Sequence, residues 1–178
     1  MEPVSSKQWG SKQYLHFADD VARKLQDCSL LTTYCFLKMT PLVRQQQLVD
    51  QYSAIEDVQE RMVLILDRAR KLPPLAEEEK TEAARVQGCV SRVWLRASVA
   101  DRRCHFRVDA DSALVRGLAA FICEMYEGAT PDEVGSVEPH LLEKLGIAEN
   151  LSPTRRHGLG QVWRAMCDFA RTQTEGLA

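Results

Sequence analysis

The chain lacks most of the short signatures that announce a chemistry. No CxxC occurs, and no set of cysteines and histidines has zinc-finger or ferredoxin-type spacing. That argues against a structural zinc site or an iron–sulfur ligand set, so no metal is expected. The nine glycines are scattered, and no glycine-rich loop is available to cradle a phosphate. Charge of one sign is missing too: 23 Lys and Arg face 25 Asp and Glu, for a formal net charge of -2 and a pI near 6.1. Such a balance gives no broad cationic footprint for nucleic acid. No apolar run approaches the ~20 residues of a membrane span. Residues 1–9 are polar, and no apolar core of a secretory signal follows them. The chain is therefore expected in the cytoplasm, with neither nucleic acid nor membrane as partner.

What is present is an ordinary apolar fraction, 45% of 178 residues. That suffices for one domain with one sizeable core. Six cysteines stand out, at 28, 35, 89, 104, 123 and 167. In a reducing cytosol they are expected to stay free thiols. Free cysteines mostly behave as small buried hydrophobes, so the informative one is the thiol whose setting does not resemble a core.

Residues 1–38 read differently from the rest. Phe17, Val21 and Leu25 stand at i, i+4 and i+8 and predict a short helix, and residues 30–37 are a largely apolar run. Met39-Thr40-Pro41 then looks like a fresh start, with Thr40 as N-cap and Pro41 at the first helical position. The expected organisation is an N-terminal extension over 1–38, poorly ordered or preceding a native start at Met39, and one domain over 39–178.

Within that domain, residues 42–52 predict a short amphipathic helix. Ile55, Val58, Met62, Ile65, Ala69 and Leu72 recur at three- and four-residue steps and predict a second, over 54–71. Leu72-Pro73-Pro74-Leu75 stops it. The charged run 76–81 predicts a solvated loop. A strand is predicted over 90–97. Cys104, Phe106 and Val108 alternate with His105, Arg107 and Asp109 in period two. The two runs predict an antiparallel hairpin across the polar turn Asp101-Arg102-Arg103, with its arginine and histidine positions on the wet face.

The remainder predicts helices. Asp111 or Ser112 caps the most apolar one, which runs to Tyr126 and closes at Gly128. Thr130-Pro131-Asp132-Glu133 reads as a capping box. A short helix opens at Glu138-Pro139 and ends near Gly146, and Ser152-Pro153 caps a last one reaching about Thr172. The pattern is α+β: a small antiparallel sheet of two to three strands against several helices.

Cys104, on the inward face of a strand, Cys123, in the apolar helix, and Cys167, on the last helix, all read as core thiols. Cys28 and Cys35 lie in the extension. Cys89 differs: it follows Gly88 at the junction of loop and strand, with Arg85 and Arg92 near in sequence. Cationic neighbours lower a thiol pKa and raise the thiolate fraction, the form that attacks sulfur or carbon. On spacing alone, a cysteine packing at a strand end remains a serious competing reading. A cysteine hydrolase would also need a base, and His16, His105, His140 and His157 stand in no hydrolase motif. The helix starts at Thr130 and Ser152 read as capping, although a helix N-terminus can also accept an anion.

Residues 88–95, Gly-Cys-Val-Ser-Arg-Val-Trp-Leu, resemble the cysteine loop of the SufE family, the sulfur acceptors of cysteine desulfurases. Three further segments agree in order and spacing. Residues 71–75 (Lys-Leu-Pro-Pro-Leu) with Lys80-Thr81 and Arg85-Val86 resemble the approach to that loop. Residues 109–118 resemble the hairpin exit and central helix, and 151–159 resemble the start of the last helix. The likeness covers roughly residues 42–170 and leaves out 1–38.

The resemblance implies a SufE/NifU-like fold and persulfide relay without a cofactor. Cys89 would take the terminal sulfur of a SufS-type cysteine desulfurase, stimulate that enzyme and hand sulfur to a SufB-type cluster scaffold. Such a chain is a carrier and activator rather than a stand-alone enzyme, and a monomer or dimer. Asp111, Arg155 and Glu143 would serve partner contact, with Ser91 and Arg92 on the loop. The residues themselves also allow Asp111 to be a helix cap and Arg155 a solvated first-turn residue. A glycine-containing loop that swings would protect a loaded thiol from oxidants and still expose it to a partner. Val90 and Arg92 stand where the family shows glutamines, and Ala84 where it shows an asparagine. These departures bear on which desulfurase is recognised and how the loop is hydrogen-bonded. Other readings are a carrier feeding tRNA thiolation or a cofactor pathway, and an adaptor that binds a desulfurase without carrying sulfur.

Overall fold

The structure is a computed structural model, and it describes residues 39–175. The helix expected at 17–25, the thiols Cys28 and Cys35, and His16 lie outside the described residues.

Thr40 caps the first helix, α1 (Pro41–Ser53), its hydroxyl accepting from the Val43 N–H at 3.4 Å, with Pro41 in the first turn. The second, α2 (Val58–Arg70), starts later than the periodicity predicts. Asp57 accepts from the Glu60 N–H at 2.8 Å and fixes the start there, leaving Ile55 in the preceding turn. The run 76–81 is not wholly irregular, since it holds the short 3-10 turn Glu77–Glu79; another, Glu82–Ala84, follows.

The hairpin is β1 (Val93–Ala100) and β2 (Arg103–Ala110), antiparallel, in register from Val93↔Ala110 to Ala100↔Arg103. It closes through Asp101 and Arg102, at φ 51° and 60°. Two successive positive φ values are those of a type I′ turn, which matches the strands' right-handed twist. Among the described residues the sheet has two strands. β1 begins at Val93 rather than at residue 90, because residues 87–92 arch away as a loop. The wet face also departs from expectation at Asp109, which is 6% exposed.

Ser112, and not Asp111, caps α3 (Ala113–Tyr126): its Oγ accepts from the Val115 N–H at 3.4 Å. Val115, Leu118, Phe121, Ile122 and Met125 bury this helix between α2 and β2, as an all-round apolar helix requires. Its C-terminal carbonyls are satisfied by arginines from elsewhere. Arg44 donates to Glu124 O at 3.2 Å and Glu127 O at 2.8 Å, and Arg103 donates to Gly128 O at 2.6 Å.

The predicted capping box opens α4 (Pro131–Ser136), with Thr130 N–H to Glu133 Oε2 at 2.8 Å. The next helix, α5 (Leu141–Lys144), is shorter than the sequence suggests. The last, α6 (Pro153–Glu175), runs slightly past the expected end. Val162, Met166 and Ala170 seat α6 on the core at 0–2% exposure. The architecture is α+β, a two-stranded hairpin laid on a layer of helices.

Candidate functional site

Residues 87–92 form a loop pinched at its base. The Val86 N–H donates to Val93 O at 2.8 Å, and Arg85 bridges to Trp94 in antiparallel fashion. The Asp111 N–H donates to Arg92 O at 3.1 Å, and Arg92 Nε reaches Asp111 Oδ2 at 3.4 Å. Trp94 stands between two cations, with Lys80 Nζ and the Arg92 guanidinium carbon each 5.7 Å from a ring centroid. These contacts hold the loop at its base.

Gly88 turns the chain at φ +79°, which favours glycine. A Cβ there would also stand 3.3 Å from Gln161 Cγ on α6. Cys89 next points down onto α6. Its Sγ–H donates to Gly158 O at 3.3 Å, across 69 residues of sequence. The two chains meet closely here, since a Cβ on Gly158 would stand in van der Waals contact with Sγ at 3.4 Å. The thiol is half-buried, whereas Val90 beside it is 84% exposed.

The protonation state of Cys89 corrects the expectation drawn from its cationic neighbours. Burial pushes the Cys89 thiol up from its ordinary value of 9.0. Arg85 is turned to Glu82 at 3.2 Å and Arg92 to Asp111 at 3.4 Å. Neither makes a hydrogen bond to Sγ among the described contacts. The partner it has is a carbonyl, which accepts a proton-bearing donor and offers nothing to a thiolate. Cys89 at rest is thus a neutral, seated thiol.

The other described cysteines take core positions to differing degrees. Cys104 and Cys123 are buried at 0% and 4% exposure. Burial, with Glu127 nearby, pushes them up to about 11 and about 12. Cys167 is half-buried and donates to Val134 O at 3.6 Å. His157, in the first turns of α6, is engaged with Gln161 at 3.1 Å.

The fold brings together Cys89, Ser91, Arg92 and Asp111 on the loop and its base. Arg155 is exposed in the first turn of α6, three residues before Gly158 and so on the same helix face. Glu143 belongs to a different place. It lines a cleft of about 120 Å³ with Leu142, Leu159, Arg156 and Trp163. Gly158, Gln161 and Asp109 escaped the sequence reading. Asp109 accepts from the Leu75 N–H (3.2 Å) and the Ala110 N–H (2.9 Å) and is ion-paired with Lys80 (3.3 Å) and Arg116 (3.2 Å), and so ties residues 75–80 to β2 and α3. Its alternation with apolar residues hid this role. Among the described residues, no group of three or more His, Cys, Asp and Glu side chains is placed to hold a metal. No described helix is long and apolar enough to cross a membrane.

Fold and loop together define a small α+β domain with a half-buried thiol on the loop that leads into its hairpin. Residues 46–170 match the family model SufE, described as an Fe-S metabolism associated domain. The chain is 32% identical over 132 residues to an uncharacterised SufE-like protein of Synechocystis, covering 74% of this chain and 79% of that one. It is 30% identical over 122 residues to SufE-like protein 1, chloroplastic/mitochondrial, of Arabidopsis thaliana, covering 68% of this chain and 33% of that one. The solution structure of a hypothetical protein from Thermus thermophilus shares the fold at a TM-score of 0.62 and 22% identity, over 75% of this chain and 96% of that one. The chain belongs to the SufE family, which supports a sulfur-transfer role linked to iron–sulfur metabolism.

Proposed function

We propose that the protein is a persulfide carrier whose acceptor is Cys89, loaded by a SufS-type cysteine desulfurase that it stimulates and unloaded onto a SufB-type cluster scaffold. The observation that carries this reading is the loop thiol Cys89 seated on Gly158, on a loop whose backbone is hydrogen-bonded at its base. Cys104 and Cys123 are buried at 0% and 4% exposure and protonated to high pH, which leaves them poor acceptors.

The chemistry balances without an oxidant. On docking, Cys89 leaves the Gly158 carbonyl and gives up its proton. The thiolate attacks the outer sulfur of the donor's persulfide, an S–S bond forms at Cys89, and the donor's S–S bond breaks. The departing donor thiolate takes the proton. Sulfur moves with no net change of oxidation state, and delivery repeats the exchange with Cys89 as the leaving group. Asp111, Ser91 and Arg92 lie where a partner covering Cys89 would meet them, and Arg155 stands one turn away. Glu143, at the separate cleft, is a more peripheral contact. A hydrolase reading finds no support in the seat, since Gly158 O cannot serve as a base.

The test is mass spectrometry of the carrier after incubation with a SufS-type desulfurase and L-cysteine. An adduct of one sulfur atom on Cys89 that is lost in Cys89→Ser, together with lost stimulation of the desulfurase, is the expected result. An adduct that persists at another cysteine overturns it.

A further inference from the structure

We propose that Gln161, braced by His157, is a positioning residue that props Gly88 and so keeps Cys89 on its Gly158 seat. Its consequence for sulfur loading rests on the persulfide-carrier reading; its hold on the loop does not.

The loop meets α6 at two successive residues. Cys89 Sγ donates to Gly158 O at 3.3 Å. Gly88 lies against Gln161: a Cβ on it would stand 3.3 Å from Gln161 Cγ, 3.6 Å from Cδ and 3.9 Å from Oε1. Gly158 and Gln161 are three residues apart on α6 and so share a helix face. Gly158 brings no side chain to that face, and the half-buried stem of Gln161 is what the backbone at Gly88 rests on.

A free glutamine is rich in rotamers, and ordering it costs entropy. Gln161 is not free. Its Nε2 faces His157 Nε2 at 3.1 Å, one helical turn back. With two nitrogens facing, the amide donates and the ring nitrogen accepts. That bond fixes the far end of the side chain and holds its stem under Gly88, so the loop docks on an ordered surface.

At its base the loop is held by backbone bonds, Val86 to Val93 and Asp111 to Arg92. At its tip the contacts are Gly88 on Gln161 and Cys89 on Gly158. A swing of the tip breaks both together. The fraction of molecules with the tip released sets how fast a reagent reaches Sγ, and it scales the apparent affinity of a donor that needs the thiol unseated.

The experiment compares wild type with Gln161→Ala, Gln161→Met, His157→Ala and the double alanine variant. Alanine and methionine suit a helix, and neither side chain is fully buried, so melting temperatures should match wild type. Alkylation of Cys89 by iodoacetamide at fixed pH, read by mass spectrometry, should be about three- to tenfold faster in Gln161→Ala, the scale of one lost hydrogen-bonded contact. His157→Ala should also be faster than wild type. Gln161→Met, which keeps the stem and loses the amide, should match it. The double variant should be no faster than Gln161→Ala, because the two residues act as one unit. With a SufS-type desulfurase and L-cysteine, Gln161→Ala should load Cys89 at a half-saturating carrier concentration lower by the same factor, with the plateau unchanged. An unchanged alkylation rate in Gln161→Ala or in His157→Ala overturns the role. So do effects that multiply in the double variant, or a raised half-saturation. If wild type never takes up sulfur, the carrier reading fails, and the alkylation series still decides the role of Gln161.

Discussion

The Cys89 thiol donates its proton to the backbone carbonyl of Gly158, 3.3 Å away on α6. That bond is a statement about charge. Only the neutral thiol has a hydrogen to donate, and a thiolate would face the negative end of the same carbonyl. A loaded persulfide likewise has no hydrogen on Sγ. On the proposed persulfide-carrier reading, the seat holds the empty carrier in its unreactive form and has no hydrogen bond to offer the thiolate or the loaded form.

The alkylation rate of Cys89 should follow its titration. Burial raises this thiol above 9.0, so the thiolate fraction at neutral pH lies below that of an exposed cysteine. In a pH series with iodoacetamide, the rate at Cys89 should rise with a midpoint above that of an unstructured cysteine peptide. Addition of the desulfurase should bring the midpoint down as the thiol leaves Gly158. A midpoint below the peptide's would mean that Arg85 and Arg92 govern the thiol after all.

Gly158→Ala tests the seat directly. The new Cβ would lie 3.4 Å from Sγ and 3.8 Å from the Cys89 Cβ, ordinary van der Waals contact that fills space beside the thiol and leaves its carbonyl partner and α6 intact. Alanine favours a helix interior by about 1 kcal/mol over glycine, so the melting temperature should hold or rise. Alkylation of Cys89 at fixed pH should stay at or below the wild-type rate. A several-fold faster rate would show that the seat has no room for a Cβ beside Sγ.

These relationships explain what could be read along the chain and what could not. Local chemistry was legible: Thr40, Ser112 and the Thr130–Glu133 box start helices where their side chains can accept backbone N–H groups. The hairpin was legible from its period-two face, except at two points. Val90 looks like the first residue of a strand because it is apolar, yet the pinch between Val86 and Val93 expels it into solvent. Asp109 looks like a wet-face residue because it alternates with apolar ones, yet Lys80 and Arg116 converge on it from two other segments. The thiol misled for a related reason. Arg85 and Arg92 are near Cys89 in sequence, but their charges are spent on Glu82 and Asp111. Gly158, which does govern Sγ, is 69 residues away.

Asp109 is predicted to be the costliest polar residue of the site to lose. It is 6% exposed, and its carboxylate is shared by Lys80, Arg116 and the Leu75 N–H. Removing it takes one acceptor from each of two partly buried cations, Lys80 keeping Glu77 at 2.7 Å and Arg116 the Leu72 carbonyl at 2.9 Å, and leaves the Leu75 N–H without its acceptor. Breaking a buried pair from one side costs about 3 kcal/mol. Urea unfolding of Asp109→Ala should show a loss of that order, with Asp109→Asn intermediate because it keeps one acceptor oxygen. A loss below about 1 kcal/mol, the scale of an exposed pair, would show that the cluster behaves as surface.

The buried thiols make the fold sensitive to alkali in a way that can be assigned to one atom. Burial, with the Glu127 carboxylate adding to it, pushes Cys104 up to about 11 and Cys123 up to about 12, from an ordinary 9.0. A raised pKa means that the fold favours the protonated form. Below about pH 9 both folded and unfolded chains keep these protons, and stability is unaffected. Above that the unfolded thiols ionise and the folded ones do not, so stability falls as pH climbs towards the folded values. Each such thiol costs about 1.4 kcal/mol per pH unit through its window. Cys123→Ala removes the thiol that is pushed up further and leaves a small cavity that lowers stability equally at every pH. Its urea midpoint should therefore start below that of the parent at about pH 8 and decline less steeply between about pH 9 and about pH 12. Lysine and tyrosine titrations are common to both proteins and cancel in the comparison. Parallel declines would show that the Cys123 thiol is not kept protonated by the core around α3.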